Sequence, residues 1–169
     1  MIIAAFAGVG KTYFCDNIQN AIDFVCMPYK YFLPETKKDT AEDEQLKADF
    51  SLEMNPMYPH NYIKAIMDNI NKYKYLVIPS DVRVLKALEN NNVSYILCYP
   101  TIDAKDEYEK RYLKRGNTED FIEIFIGRWD YFMKSLRADN YGIHIEMNKQ
   151  EHLFDVKKKI DEIILKQTR

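Results

Sequence analysis

Runs of strand length and runs of helix length alternate along almost the whole of this chain, and that alternation limits its possible folds more than any other feature. Ile2 to Phe6 is a short apolar run, broken by Gly8 and Gly10 before a helix-compatible stretch from Lys11 to about Asn20. Ile22 to Cys26 is a second β-favouring run, and Met27 to Phe32, with its proline and aromatics, reads as a loop. Thr36 to Leu52 is polar and charged and suits an exposed helix or a mobile insert. Asn61 to Tyr73 carries Tyr62, Ile63, Ile66, Met67 and Ile70 at helical spacing, ahead of a buried strand at Tyr75 to Ile78. Ser80 and Asp81 suit the cap of the next helix, whose stripe is Val84, Leu85 and Leu88 and which stops at Asn90-Asn91-Asn92. Val93 to Tyr99 and Gly142 to Met147 are the last two strands. Between them, Ala104 to Lys114 and about Glu119 to Leu136 read as a helical hairpin. Glu151 to Lys166 closes the chain as an amphipathic helix with Leu153, Val156, Ile160, Ile163 and Ile164 on one face.

This order predicts an α/β fold: a three-layer sandwich with a five-stranded parallel sheet, because right-handed crossovers leave few other arrangements. One domain over 1–169 is expected, with the hairpin as a lid around 104–138. At 169 residues the chain is long enough to close its core without disulfides. Cys15, Cys26 and Cys98 lack C-x-x-C spacing and read as reduced thiols. His60, His144 and His152 make no close pair, which argues against structural zinc. The first apolar run is too short for a signal peptide or a membrane span, so the expectation is a cytoplasmic protein, off the membrane, as a monomer or homodimer. With 24 Lys+Arg against 26 Asp+Glu the net charge is -2, which gives no global field for nucleic acid. Any phosphate chemistry must use local cations.

The segment Ala5-Phe6-Ala7-Gly8-Val9-Gly10-Lys11-Thr12 fits the pattern G-x-x-x-x-G-K-[ST], with Ala5 in place of the first Gly. It lies between a strand and a helix, where such a loop works. Backbone N–H groups from Ala7 to Tyr13, uncrowded at Gly8 and Gly10 and flanked by Val9, converge on phosphate oxygens. Lys11 adds a charge to bridge the β- and γ-phosphates of ATP, and the Thr12 hydroxyl is suited to Mg²⁺.

With the loop, the alternation and the hairpin in place, the chain resembles the P-loop nucleoside and nucleotide kinases, in particular small phage-type and bacterial deoxynucleotide kinase-like proteins. Tyr108 to Asn117 looks like the arginine-bearing lid of that family. The resemblance implies ATP- and Mg²⁺-dependent phosphoryl transfer to a small acceptor, a nucleoside monophosphate first of all. Arg111 and Arg115 are four apart and share a helix face, suited to gripping phosphate oxygens. Arg128 would reach the site from the second helix of the hairpin, while Lys110 and Lys114 would point to solvent. Asp81, two residues later than the family's acid after strand three, is the candidate to orient Mg²⁺ or activate the acceptor. Helix capping is the other reading of Asp81. Asp23 on strand two, Arg83, and the faces of Tyr29, Tyr31 and Phe32 are the acceptor-side candidates, with Met54, Met57 and Tyr58 as further lining. A nucleotide-binding ATPase or switch acting through a protein partner is the alternative. Asn148-Lys149-Gln150-Glu151 approaches the guanine-reading N-K-x-D sequence, but no GTPase switch motif accompanies it.

Overall fold

The first strand, β1 (Ile2–Ala5), is buried on both faces, as its unbroken apolar sequence requires, and the rest of the sheet is arranged around it. In this computed structural model, which describes residues 1–32 and 52–167, β1 is followed by α1 (Lys11–Asn17) and β2 (Ala21–Asp23). The short helix α2 (Met27–Lys30) and then α3 (His60–Asn69) lead to β3 (Tyr75–Pro79) and α4 (Val82–Asn90). After β4 (Tyr95–Pro100) come a 3₁₀ turn (Ile102–Ala104) and three helices, α5 (Lys105–Lys114), α6 (Glu119–Gly127) and α7 (Trp129–Arg137). The chain then enters β5 (Ile143–Met147) and α8 (Lys157–Gln167).

The five strands are all parallel, in the order β2-β3-β1-β4-β5. The chain leaves β1 toward the β2 edge and leaves β4 toward the β5 edge. The carboxyl ends of these two neighbours therefore flank a switch point, where open α/β sheets form their crevice. Right-handed crossovers in opposite directions put helices on opposite faces. The central strands β1, β3 and β4 are almost wholly buried, while the edge strands β2 and β5 are partly exposed.

Local chemistry moved several boundaries. Helix α1 ends at Asn17, short of Asn20, which takes a positive φ of 63° in the turn into β2. Strand β2 stops at Asp23, and Met27 to Lys30 is helical, with Pro28 pre-set for a first turn. The long second helix of the expected hairpin is broken at Gly127–Arg128, giving α6 and α7, so three helices stand where two were expected. Thr118 Oγ1 accepts from Phe121 N and caps α6. The last helix starts at Lys157, not Glu151; the six residues before it form turns that reach back to the first loop, where Leu153 N donates to Val9 O at 2.8 Å. Almost all of the stretch expected at Thr36 to Leu52 lies outside the described residues. Cys15, Cys26 and Cys98 are free thiols, the last two buried. Among the described residues no helix is long and apolar enough to cross a membrane.

Candidate functional site

At the carboxyl ends of β1, β2 and β3 the loop from Phe6 to Gly10 opens onto a cavity of about 1100 Å³. Gly8 and Gly10 both have positive φ, 81° and 90°, which L side chains rarely adopt. Gly8 also has no room: a Cβ there would lie 2.7 Å from Tyr112 Cε1. Tyr112 is fully buried and its hydroxyl donates to Ala7 O at 3.0 Å, so it cannot move aside cheaply. Replacing Gly8 with alanine is expected to destabilise the protein by about 1–2 kcal/mol through the strained φ and the clash. Urea unfolding of the variant measures this, and an unchanged midpoint would contradict the loop geometry.

The loop is held from two sides, by Tyr112 on α5 and by Leu153 after β5. Val9 is fully buried, so it contributes backbone only, and Ala7 O is occupied by Tyr112. Lys11 Nζ turns back to donate to Phe6 O at 3.1 Å and to Ala5 O at 3.4 Å. Thr12 Oγ1 donates to Asp23 Oδ2 at 3.0 Å. Asp23 is the last residue of β2 and lines the cavity, and its Oδ1 is buried without a hydrogen-bond partner. Tyr13 is exposed and packs edge-on against Phe154.

Asp81 is fully engaged. Its Oδ1 accepts from Arg83 N and Arg83 Nε, and its Oδ2 from Arg83 Nη2 at 2.8 Å, Tyr58 Oη at 3.1 Å and Lys30 Nζ at 3.4 Å. Burial alone would raise the carboxyl's pKa. The hydrogen bonds and charge of Arg83, together with Lys30, outweigh it and hold the group at about 2. Asp81 thus caps α4, the capping reading of the sequence, and pairs with two cations. Arg83 also lies over the Tyr58 ring at 5.0 Å.

On α5, Arg111 ties the helix to the segment after β5. It donates from Nη2 to Lys149 O at 2.7 Å and from Nη1 to Glu151 O at 3.4 Å, pairs with Glu107 and sits 4.6 Å over the Tyr108 ring. Arg111, Arg115 and Arg128 all line the cavity; Lys110 and Lys114 are exposed, as expected, and border the same opening. Their helix α5 carries two cationic rows past the same opening. Glu151 Oε2 accepts from Asn148 N, so the acid of the N-K-x-E segment serves its own turn.

Of the tyrosines after β2, Tyr31 lines the cavity, while Tyr29 packs with Phe24 and Tyr62. Phe32, Met54 and Met57 are exposed away from the lining, and Tyr58 is buried. Sequence reasoning missed Lys30, on the unexpected α2, and Phe121, Phe125 and Phe132, which line the cavity from α6 and α7. The signal was there for α2 in Pro28; nothing in the local pattern of α6 and α7 separates cavity from core.

Among the described residues eight cationic side chains line the cavity, namely Lys11, Lys30, Arg83, Lys110, Arg111, Lys114, Arg115 and Arg128, against three acids, Asp23, Asp81 and Glu107. In a chain of net charge -2 this is a strong local reversal of sign, and it suits a ligand with several negative charges.

No protein family and no curated protein matches the chain. It is similar to a solved structure described as that of an uncharacterized protein from Eubacterium ventriosum, with 20% identity and a TM-score of 0.47 over 100% of this chain and 99% of that one.

Proposed function

We propose that the protein is a P-loop phosphotransferase that moves the γ-phosphoryl group of ATP to a small acceptor, a nucleoside monophosphate first of all. The observation that carries this reading is the cationic cavity that converges on the Gly8–Thr12 loop. The sheet order, with the loop strand central and the loop at the switch point, supports it as well.

In this reading the N–H groups of Gly8 to Tyr13 cradle the donor phosphates, and Lys11 leaves the carbonyls of Ala5 and Phe6 to meet the β- and γ-oxygens. Arg115 and Arg128 approach from the lid, with Lys110 and Lys114 adding field. Arg111 keeps α5 in register with the segment after β5. The acceptor oxygen bonds to the γ-phosphorus as the bridging P–O bond breaks, ADP leaves, and the acceptor's proton passes to water. Such transfer depends mainly on positioning and charge stabilisation, so the engagement of Asp81 is no obstacle.

The residues present fit Mg²⁺. A hard cation takes oxygen ligands, and Thr12 Oγ1 with the adjacent Asp23 carboxylate, whose Oδ1 has no other partner, offers them beside the donor phosphates. The ion would supply charge neutralisation there; Thr12 and Asp23 would hold it.

The saturated Asp81 is the one observation that favours the alternative, an ATPase or switch without an acceptor. Incubation with Mg·ATP and a panel of nucleosides and monophosphates, with ADP as the readout, decides between them. Acceptor-dependent ADP is expected. ADP that forms at the same slow rate with every acceptor and with none would overturn the transferase reading.

A further inference from the structure

The last strand, β5, forms one edge of the sheet, and β4 is the strand bonded to it. Thr101 N donates to Met147 O at 2.8 Å, so Met147 turns its backbone groups toward β4. By the alternation of a strand Ile143 and Ile145 do the same, while His144 and Glu146 turn theirs away from the sheet. Among the described residues none bonds to the amides or carbonyls of these two. The register with β4 runs unbroken from Ile143 to Met147, so no bulge twists the edge away. The strand also carries no proline and no lysine, the residues that ordinarily blunt an exposed edge. The opposite edge is protected by shortness, since β2 has three residues and ends in Asp23.

The order Ile143-His144-Ile145-Glu146-Met147 is complementary to itself when reversed. Laid antiparallel to a second copy about a two-fold axis at Ile145, His144 stands opposite Glu146 of the second copy, and Glu146 opposite its His144. These are the residues with outward backbone groups, so each facing pair exchanges both of its N–H···O bonds. On the other face Ile145 meets Ile145, and the exposed Ile143 meets Met147, which covers apolar surface. Moving the axis by one position would instead set Glu146 against Glu146 or His144 against His144, and like charges directly opposite are unfavourable. Glu146 is paired with Arg137 in its own chain, so the acid enters the contact already compensated. The His144 ring is held upright by Tyr99 Oη, 3.0 Å from Nδ1.

We infer that β5 is an interface between two copies of this chain, joined as an antiparallel ladder about Ile145 into one continuous sheet. Identical edges that face one another make a closed, isologous contact, so assembly stops at the dimer. One short strand from each side is a small contact, and association falls in about the 1–100 µM range. The edge lies outside the cavity lining, so the dimer holds whether or not the cavity transfers phosphate.

The test is sedimentation equilibrium of the full chain from about 1 to about 100 µM. The mass should rise from that of the 20.1 kDa monomer toward twice that value. Amide hydrogen exchange at the two ends of this range locates the contact. The N–H groups of His144 and Glu146 should exchange several-fold more slowly at the high concentration, while that of Ile145, bonded to β4 in either state, should not change. Glu146→Pro removes an outward N–H without touching the ladder to β4 and should leave a monomer throughout. His144→Glu sets carboxylate against carboxylate twice and should weaken the dimer about fivefold to tenfold. Adding Glu146→Lys to it restores opposite charges and should restore association, which separates a lost contact from a damaged fold. Should the proline variant unfold, the charge exchange and the amide measurement decide. A chain that stays monomeric at about 100 µM, a dimer that folded Glu146→Pro and His144→Glu variants leave unchanged, or exchange at His144 and Glu146 that ignores concentration would overturn the inference.

Discussion

Lys11→Ala is expected to lower ATP turnover at least about a hundredfold while leaving the fold intact, because the side chain supplies the one full charge built into the loop itself. In the present structure its ammonium rests on the carbonyls of Phe6 and Ala5, which are neutral acceptors near the end of β1. Exchange of such contacts for water costs little, so thermal stability should change by only about 1 kcal/mol. Affinity for Mg·ATP, measured by calorimetry, should fall together with turnover. A variant that binds and turns over ATP like the parent would remove the phosphate role from the loop. Lys11→Arg is a useful companion, since a planar fork cannot replace a compact ammonium in so tight a place and should recover little.

Asp81→Ala should give the largest loss of stability, about 3 kcal/mol, through three effects at one side chain. It removes the cap on Arg83 N, leaves Lys30 and Arg83 without their common counter-charge, and leaves the Tyr58 hydroxyl without its acceptor. Partial exposure of Arg83 keeps the figure at the lower end for a broken ion pair. For a chain of this length that corresponds to about 10 °C in the thermal midpoint. Asp81→Asn, which keeps a cap acceptor and loses the charge, should lose roughly half as much. The carboxylate also fixes a pH dependence. Its folded pKa, at about 2, lies below the unfolded value. The stabilisation is therefore complete above the unfolded value and is lost as pH falls through the folded one. The parent should lose about 2 kcal/mol over that interval that the alanine variant does not. Parallel acid titrations of the two proteins would contradict this.

The loop was legible because its sequence signal is local: two glycines, a lysine and a threonine between an apolar run and a helix mark the turn, although Tyr112 and Leu153 are what hold it. The central strands were legible for a similar reason, since β3 and β4 are buried on both faces and so read as unbroken apolar runs. Asp23 shows where that reasoning fails. The apolar run continues through Phe24, Val25 and Cys26, but the strand ends at Asp23 because the chain turns into α2, and the end of the ladder decides where the carboxylate points. Arg111 fails differently: its partners are carbonyls 38 and 40 residues away, which no spacing on α5 reveals. The break at Gly127 was foreshadowed by the glycine itself, yet only the packing of Phe125 on Phe132 across it explains why two helices are better than one.

The first loop of the chain is completed by its last third. Ala7 O waits for the hydroxyl of Tyr112, and Val9 O for the amide of Leu153. During synthesis, therefore, the earliest segment to emerge lacks its first clamp until Tyr112, 105 residues after Ala7, has been made, and its second until Leu153 follows. A ribosome-bound or prematurely ended chain can build β1 against β3 and β4 and still have no ordered cradle. A fragment that ends before Tyr112 therefore carries the loop sequence with neither of the contacts that hold it.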